Sequence, residues 1–219
     1  HAAFEPTAQD IRKARTIVRT ALSRAAILLE NRGLKHRALP GIWNAAVNVI
    51  IHSFDPAEAL AFFGDAMQDV GDGGDNADSP LRVVSDSHMD AWKKEVSDAG
   101  QAFMECIEKA DEDLEEEGLD DLLPKAVFDC ALMVVLPAWG GHHVRRAISE
   151  QCALIIEGDM RPANFMEPLH LIQRAREDRH EPAAHESFAT PPPPEVQPAA
   201  APSGSRSFEA YVFTDHDAV

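Results

Sequence analysis

The chain has 219 residues, of which 45% are hydrophobic, and this size suits one ordinary globular domain with an appendage. Its formal net charge at pH 7 is -17. Because neutralising phosphates takes surplus Lys and Arg, that balance excludes a general nucleic-acid binder.

Apolar residues recur at steps of three and four through the first 180 residues, which predicts amphipathic helices. Thr7 followed by Asp10 gives a capping box, and Asp55 followed by Pro56 and Glu58 is a second strong helix start. The pattern predicts seven helices with these bounds: Thr7 to about Gly33, after Pro40 to Phe54, Asp55 to Val70, Ser87 to Gly118, Asp120 to Leu136, Val144 to Gly158, and Pro168 to about Arg179.

The segments between these helices are turns and one longer loop. The run from Gly71 to Pro80 is rich in Gly and Asp, which favour turns, and is predicted as a loop. Pro137, with Gly140 and Gly141 after it, is expected to stop the fifth helix. No internal repeat is found. The predicted fold is all-α, a single orthogonal or bundle-like domain of about six to seven helices over residues 1–180.

The fifth helix is apolar on most sides, which is typical of a helix buried in a core. Its apolar stretch, Ala126 to Trp139, contains Asp129 and Pro137 and is shorter than the roughly 20 residues of a bilayer span. The three cysteines of the chain form no CxxC pair, and no secretion signal is visible. We therefore expect a cytoplasmic protein with reduced thiols and no membrane association.

After His180 the composition changes to Pro, Ala, Ser and Gly, which predicts a flexible linker over residues 181–206. The last segment, 207–219, begins with a short aromatic and β-branched peptide. Such a peptide can add a strand to the sheet edge of a protein partner, fold back onto its own helices, or join two copies of the chain. The residues predicted to bind are Phe208, Tyr211, Val212 and Phe213.

Charge is distributed unevenly along the chain. The first helix carries a predicted basic face of Arg12, Arg15 and Arg19, whereas the segment from Glu105 to Asp121 is almost entirely acidic. One interpretation is a basic face for an anionic partner together with an acidic face that repels or mimics nucleic acid. The other is that the two helices lie side by side and neutralise each other.

Histidines supply the weak candidates for catalysis. Asn44, Asn48 and His52 follow each other at steps of four, so they form one stripe in which His52 is a candidate proton shuttle. His142 and His143 begin a helix after two glycines, but neighbouring residues on a helix point about 100° apart, which disfavours a shared metal. The sequence predicts no metal site and no cofactor.

Arg174 and His180 have the spacing RxxxxxH, which resembles the catalytic motif of the all-helical HEPN ribonucleases. The resemblance covers these two residues. In that family the pair acts in acid–base cleavage of RNA at a dimer interface.

The leading hypothesis is an intracellular helical adaptor or regulatory protein, because no catalytic constellation is visible and the chain ends in a linker followed by a peptide. Its helical body would bind a protein partner, with the C-terminal peptide as a second contact. One alternative is a small helical enzyme, a metal-dependent or metal-free hydrolase, with a pocket that uses His52 or the pair His142 and His143. Another is an acidic inhibitor of a nucleic-acid-binding protein.

Overall fold

The computed structural model describes residues 5–70 and 86–163, and all regular secondary structure in these two ranges is helical. The all-α prediction is confirmed. The predicted loop at 71–80, the seventh helix, the linker and the C-terminal peptide lie outside the described residues. The described ranges contain six α-helices: α1 (Ala8–Asn31), α2 (Ala38–Ser53), α3 (Pro56–Asp69), α4 (Asp86–Glu116), α5 (Leu123–Trp139) and α6 (Gly141–Ile156).

The predicted capping box at Thr7 is present, and the predicted helix start at Asp55 is a capping box as well. At the start of α1, the backbone N–H of Asp10 donates to Thr7 Oγ1 at 3.2 Å, and the N–H of Thr7 donates to Asp10 Oδ2 at 2.9 Å. At the start of α3, Asp55 and Glu58 exchange the same two bonds at 2.9 and 3.1 Å. Each box satisfies backbone donors that the first turn of a helix leaves without partners.

Two predicted boundaries that were set by proline are wrong. Helix α2 begins at Ala38, so Pro40 lies in its first turn. Backbone N–H groups of a first turn have no acceptor within the helix, so the missing N–H of proline costs no hydrogen bond there. Helix α5 continues through Pro137 to Trp139, since a proline in the last turn removes only one hydrogen bond. That helix ends at Gly140, which has a φ of 84°. Glycine adopts such a positive φ without strain because it has no Cβ.

The core lies where α1 and α2 each pack against α4 and α5, while α3 packs against α6. Aromatic rings fill the centre: Trp43 lies 5.7 Å from Phe128 and 5.8 Å from Trp139, measured between ring centroids. Phe63 lies 5.8 Å from Phe128 in an edge-on arrangement. Such tilted pairs are the favoured geometry of packed aromatic side chains.

The segment Asp120–Trp139, 20 residues long with a mean hydropathy of 1.6, is long and apolar enough to cross a membrane by length and composition alone. In the fold, 56% of that window is buried against other helices. A core helix of a soluble protein meets the same two criteria, so the segment is weak support for a span.

The second half of the described chain repeats the first at a constant offset of 85 residues. Each half has a long helix, a 3-10 turn and a second helix, and the 3-10 turns Lys35–Arg37 and Asp120–Leu122 match residue for residue. Gly33 and Gly118, which end α1 and α4, have φ angles of 69° and 67°. The third helices α3 and α6 are preceded by N-cap residues at the same offset, Asp55 and Gly140. The expectation of no internal repeat is therefore wrong.

Burial follows the same offset. Corresponding positions are buried in both halves, and most of them hold residues of the same class: Ala14 and Ala99, Val18 and Phe103, Leu22 and Ile107, Leu29 and Leu114, Ile42 and Val127, Trp43 and Phe128, Val49 and Val134, Ile50 and Val135, Phe63 and Ile148, and Val70 and Ile155. The equivalent rings of Trp43 and Phe128 touch each other, as residues near a two-fold axis do. The fold is an internally duplicated helical unit whose two halves share one core.

Candidate functional site

The duplication creates two equivalent helix pairs, α2 with α4 and α1 with α5. In the α2–α4 pair the backbones are in close approach: a Cβ built on Gly41 would lie 2.7 Å from Ala99 Cβ. A Cβ on Gly100 would lie 2.7 Å from Asn44 Oδ1. Because real Cβ atoms do not approach so closely and the Ala99 backbone cannot rotate away, this crossing depends on Gly41, whereas at Gly100 a rotation of the Asn44 side chain could make room.

The α1–α5 pair replaces both glycines by larger residues. Ala126 stands at the position equivalent to Gly41, and Arg15 at the position equivalent to Gly100. Arg15 Nη2 donates to Asp129 Oδ2 at 2.7 Å, and Asp129 occupies the position equivalent to Asn44. The two helices pack together less extensively than α2 and α4 do. A more open groove therefore runs between α1 and α5.

One helical turn beyond this ion pair, α1 carries a cation and α5 an exposed apolar side chain. Arg19 follows Arg15 by four residues on α1, and Met133 follows Asp129 by four residues on α5. The Arg19 charge acts on Cys130, which places Arg19 beside α5. Met133 is 50% exposed, and two other large apolar side chains of the described ranges are exposed as well, Ile27 at 54% and Ile156 at 73%. We call the surface formed by Arg12, Arg15, Arg19, Asp129 and Met133 the α1–α5 groove.

The arginines at the two ends of the groove form no ion pair within the described part of the chain. Arg12 is exposed and Arg19 is partly exposed, and neither forms a salt bridge with another residue in the ranges 5–70 and 86–163. Arg15, between them, is paired with Asp129. The predicted basic face therefore retains two of its three arginines for another anion.

Other cations of α1 are neutralised by α4. Lys13 pairs with Glu117, and Arg32 Nη2 pairs with Glu105 Oε2 at 2.9 Å. These contacts match the expectation that the basic and acidic helices lie side by side. Because all four side chains are well exposed, each pair stabilises the fold by only about 0.2–1 kcal/mol.

The end of α4 and the turn after it form an acidic surface. Its exposed carboxylates have no ion pair with any described residue. Burial, with repulsion from Asp120 and Glu112, raises the pKa of Asp111 above its usual value. The members of this acidic surface are Glu108, Asp111, Glu112, Asp113, Glu115, Glu116, Asp120 and Asp121.

The candidate catalytic residues occupy separate helices. His52 is exposed near the end of α2, and its Nδ1 donates to the backbone oxygen of Asn48 at 2.8 Å. His142 is exposed and His143 is buried, both in the first turn of α6. No hydrogen bond between described residues joins His52 to either of them, and within 5–70 and 86–163 no three His, Cys, Asp or Glu side chains come together to hold a metal ion.

The structure also contains a partly buried polar cluster that the sequence analysis missed. Glu95 Oε2 accepts from Arg37 Nε at 2.8 Å and contacts His36 Nε2 at 3.1 Å, and Arg37 is only 5% exposed. Burial opposes the ionisation of Glu95, but the bonds from His36 and Arg37 outweigh it and lower the pKa of Glu95. The basic run 35–37 between two helices was the available sequence signal. This group joins the turn before α2 to α4.

A second missed residue is Gln151, which is 1% exposed on α6. Its Nε2 donates to the carbonyl of Arg161 at 3.0 Å, and its Oε1 accepts from the N–H of Ala163 at 2.7 Å. The side chain thus holds the chain after α6 against the domain. Beside it lies an open cleft of about 600 Å³, whose charged lining residues are Glu150, Glu157, Asp159 and Arg161.

The cysteines are placed for packing rather than for nucleophilic chemistry. Burial raises the pKa of the Cys130 thiol to about 12. Burial also raises the pKa values of Cys106 and Cys152, and the Glu105 carboxylate adds to the effect on Cys106. Thiols with raised pKa values are protonated at neutral pH and react slowly.

Comparison of the chain with protein-family models, curated protein sequences and solved structures gave no significant match. The C-terminal residues predicted to bind a partner, Phe208, Tyr211, Val212 and Phe213, lie outside the described part of the chain, as do Arg174 and His180.

Proposed function

We propose that this chain is a helical adaptor or regulatory protein that binds an acidic, apolar segment of a protein partner along the α1–α5 groove. The observation that carries the proposal is the half-exposed Met133, one helical turn beyond Asp129 on α5, where α5 packs against the helix of two arginines that have no ion-pair partner among the described residues. Unpaired arginines recognise carboxylates, and an exposed methionine adapts its shape to apolar side chains.

The equivalent surface of the other half supports this choice of groove. In the α2–α4 pair, Asn44 and Asn48 occupy the positions equivalent to Asp129 and Met133. The glycine at the crossing lets these two helices pack closely. The α1–α5 groove alone of the two combines open packing, cations and an exposed apolar side chain. Interfaces commonly combine apolar and Arg side chains in this way.

Selection from a phage-displayed library of random peptides against the full chain tests the proposal. We expect enrichment of peptides that contain both carboxylates and large apolar residues. An Arg19→Glu/Met133→Glu variant should bind the selected peptides at least tenfold more weakly, since a hydrogen bond to a charged group contributes roughly 1.5–3 kcal/mol.

Two matched variants serve as controls. Ile156→Glu introduces a charge at another exposed apolar residue, which is 73% exposed, and Arg24→Glu reverses an exposed cation elsewhere on α1. Both should leave peptide binding unchanged. Enrichment of basic peptides that ignore the groove variant would replace the proposal by the acidic-inhibitor hypothesis, with the acidic surface of α4 as the binding site.

A further inference from the structure

We infer that the α1–α5 groove also binds residues 207–219 of the same chain, so that the C-terminal peptide competes with the partner. The inference rests on the proposed function, because it assigns a regulator to the same groove. The segment 207–219 lies outside the described residues, and the inference uses its composition and the number of residues between it and the domain.

The charge and shape of the peptide complement the groove. Residues 207–219 contain Glu209, Asp215 and Asp217 and no Lys or Arg, together with the aromatic residues Phe208, Tyr211 and Phe213. The groove offers Arg12 and Arg19 to the carboxylates. It offers Met133 to the aromatic rings, and contacts between methionine sulfur and aromatic rings contribute about 0.3–1.5 kcal/mol.

The other strongly charged surfaces of the domain disfavour such a peptide. Ile156 is more exposed than Met133, but the cleft on its helix is lined by Glu150, Glu157 and Asp159. The one arginine there, Arg161, is already bound to Asp159 through bonds of 2.6 and 2.8 Å. The acidic surface of α4 repels carboxylates as well. An acidic aromatic peptide therefore favours the α1–α5 groove over these two surfaces.

The intervening chain is long enough for the peptide to reach the groove. Gln151 fixes the chain at Arg161 and Ala163, on a helix that packs against α5. Residues 164–206 follow. With the predicted helix 168–179 counted at 1.5 Å per residue and the rest as coil, they span about 30–50 Å. A domain of this size has a radius of gyration of about 15 Å, so the groove is within reach.

The single tyrosine of the chain, Tyr211, provides a specific probe. In the full chain labelled with 3-fluorotyrosine, we expect a broad fluorine resonance displaced from that of the free peptide 207–219. The Arg19→Glu/Met133→Glu variant should return the resonance to the narrow position of the free peptide. Ile156→Glu and Arg24→Glu should leave it broad.

Three results would overturn the inference: a narrow resonance in the unmodified chain, a broad resonance that the groove variant leaves unchanged, or a broad resonance that narrows on dilution. The last would mean that the peptide binds a second copy of the chain instead of its own groove.

The failure of the inference and the failure of the proposed function give different results. If both hold, a library-selected peptide displaces the tail and narrows the Tyr211 resonance, and a Phe208→Ser/Phe213→Ser variant binds that peptide more tightly. A tail that occupies the groove nine-tenths of the time predicts an increase of about tenfold. If selected peptides bind but never affect Tyr211, the inference alone fails. If Tyr211 responds to the groove variant and no peptide is selected, the proposed function alone fails.

Discussion

Substitution of Gly41 by alanine tests the close crossing of α2 and α4. The new Cβ would lie 2.7 Å from Ala99 Cβ and 3.1 Å from the backbone carbon of Ala99. Carbon atoms pack at about 3.5–4.0 Å, so the helices must separate by about 1 Å. Such overpacking costs about 1–3 kcal/mol, against which the higher helix propensity of alanine contributes up to about 1 kcal/mol. We expect a net loss of about 1 kcal/mol in the free energy of unfolding.

Gly64→Ala is the matched control, because Gly64 also lies inside a helix but nothing stands within 4 Å of an added Cβ. It should stabilise the protein by about 0.5–1 kcal/mol. At roughly 2–4 °C per kcal/mol for a chain of this size, the two variants should differ in Tm by about 3–8 °C. Thermal unfolding followed by circular dichroism measures the difference. Equal Tm values, or a higher one for Gly41→Ala, would refute the argument from the glycine crossing.

Three further predictions concern the buried groups and the duplication. Glu95→Gln should cost about 2 kcal/mol at pH 7, because Glu95 accepts from Arg37 and His36. Because the pKa of Glu95 is lowered in the folded state, this stabilisation is present above the unfolded pKa of 4.5 and is lost as the pH falls through the folded pKa. The free energies of unfolding of the unmodified protein and the variant, measured by urea titration, should therefore converge in acid. Iodoacetamide at pH 8 should modify Cys130 last of the cysteines, since a pKa of about 12 leaves about one Cys130 thiol in ten thousand ionised. Peptide mass spectrometry measures the order of modification, and an early Cys130 adduct would contradict the prediction. Chains 1–78 and 79–219 produced together should co-purify, because the main helix contacts join the two halves, whereas cooperative unfolding of either half alone would contradict a shared core.

Local features of the fold were predictable because their causes are local. The capping boxes at Thr7 and Asp55 depend on residues three positions apart, and the glycines that end α1 and α4 depend on one backbone angle. The boundary at Pro137 failed because the penalty for proline applies to a helix interior, and only the surrounding packing shows that this residue is in a last turn.

The duplication escaped the sequence analysis because few of its equivalent residues are identical. Val18 matches Phe103 and Trp43 matches Phe128 in burial but not in identity. A constant offset between the Gly-Leu pairs at Gly33 and Gly118 was the available signal. The groove could not be predicted from the sequence for a different reason. Arg15 and Asp129 are 114 positions apart, so no local pattern indicates their ion pair.

The duplication also indicates which surface differences need an explanation. A shared core requires apolar residues at equivalent buried positions, and most of the pairs keep them. The core does not require that one groove differ from the other, yet the positions of Gly41, Asn44, Asn48 and Gly100 hold Ala126, Asp129, Met133 and Arg15 in the other half. These four differences lie together along one helix pair, where they separate the helices and leave an apolar side chain exposed. Leaving Met133 half exposed gives up about half of the roughly 1.5–3 kcal/mol that its full burial would contribute, so the packing of the core does not favour this exposure, and the proposed binding of a partner would account for it.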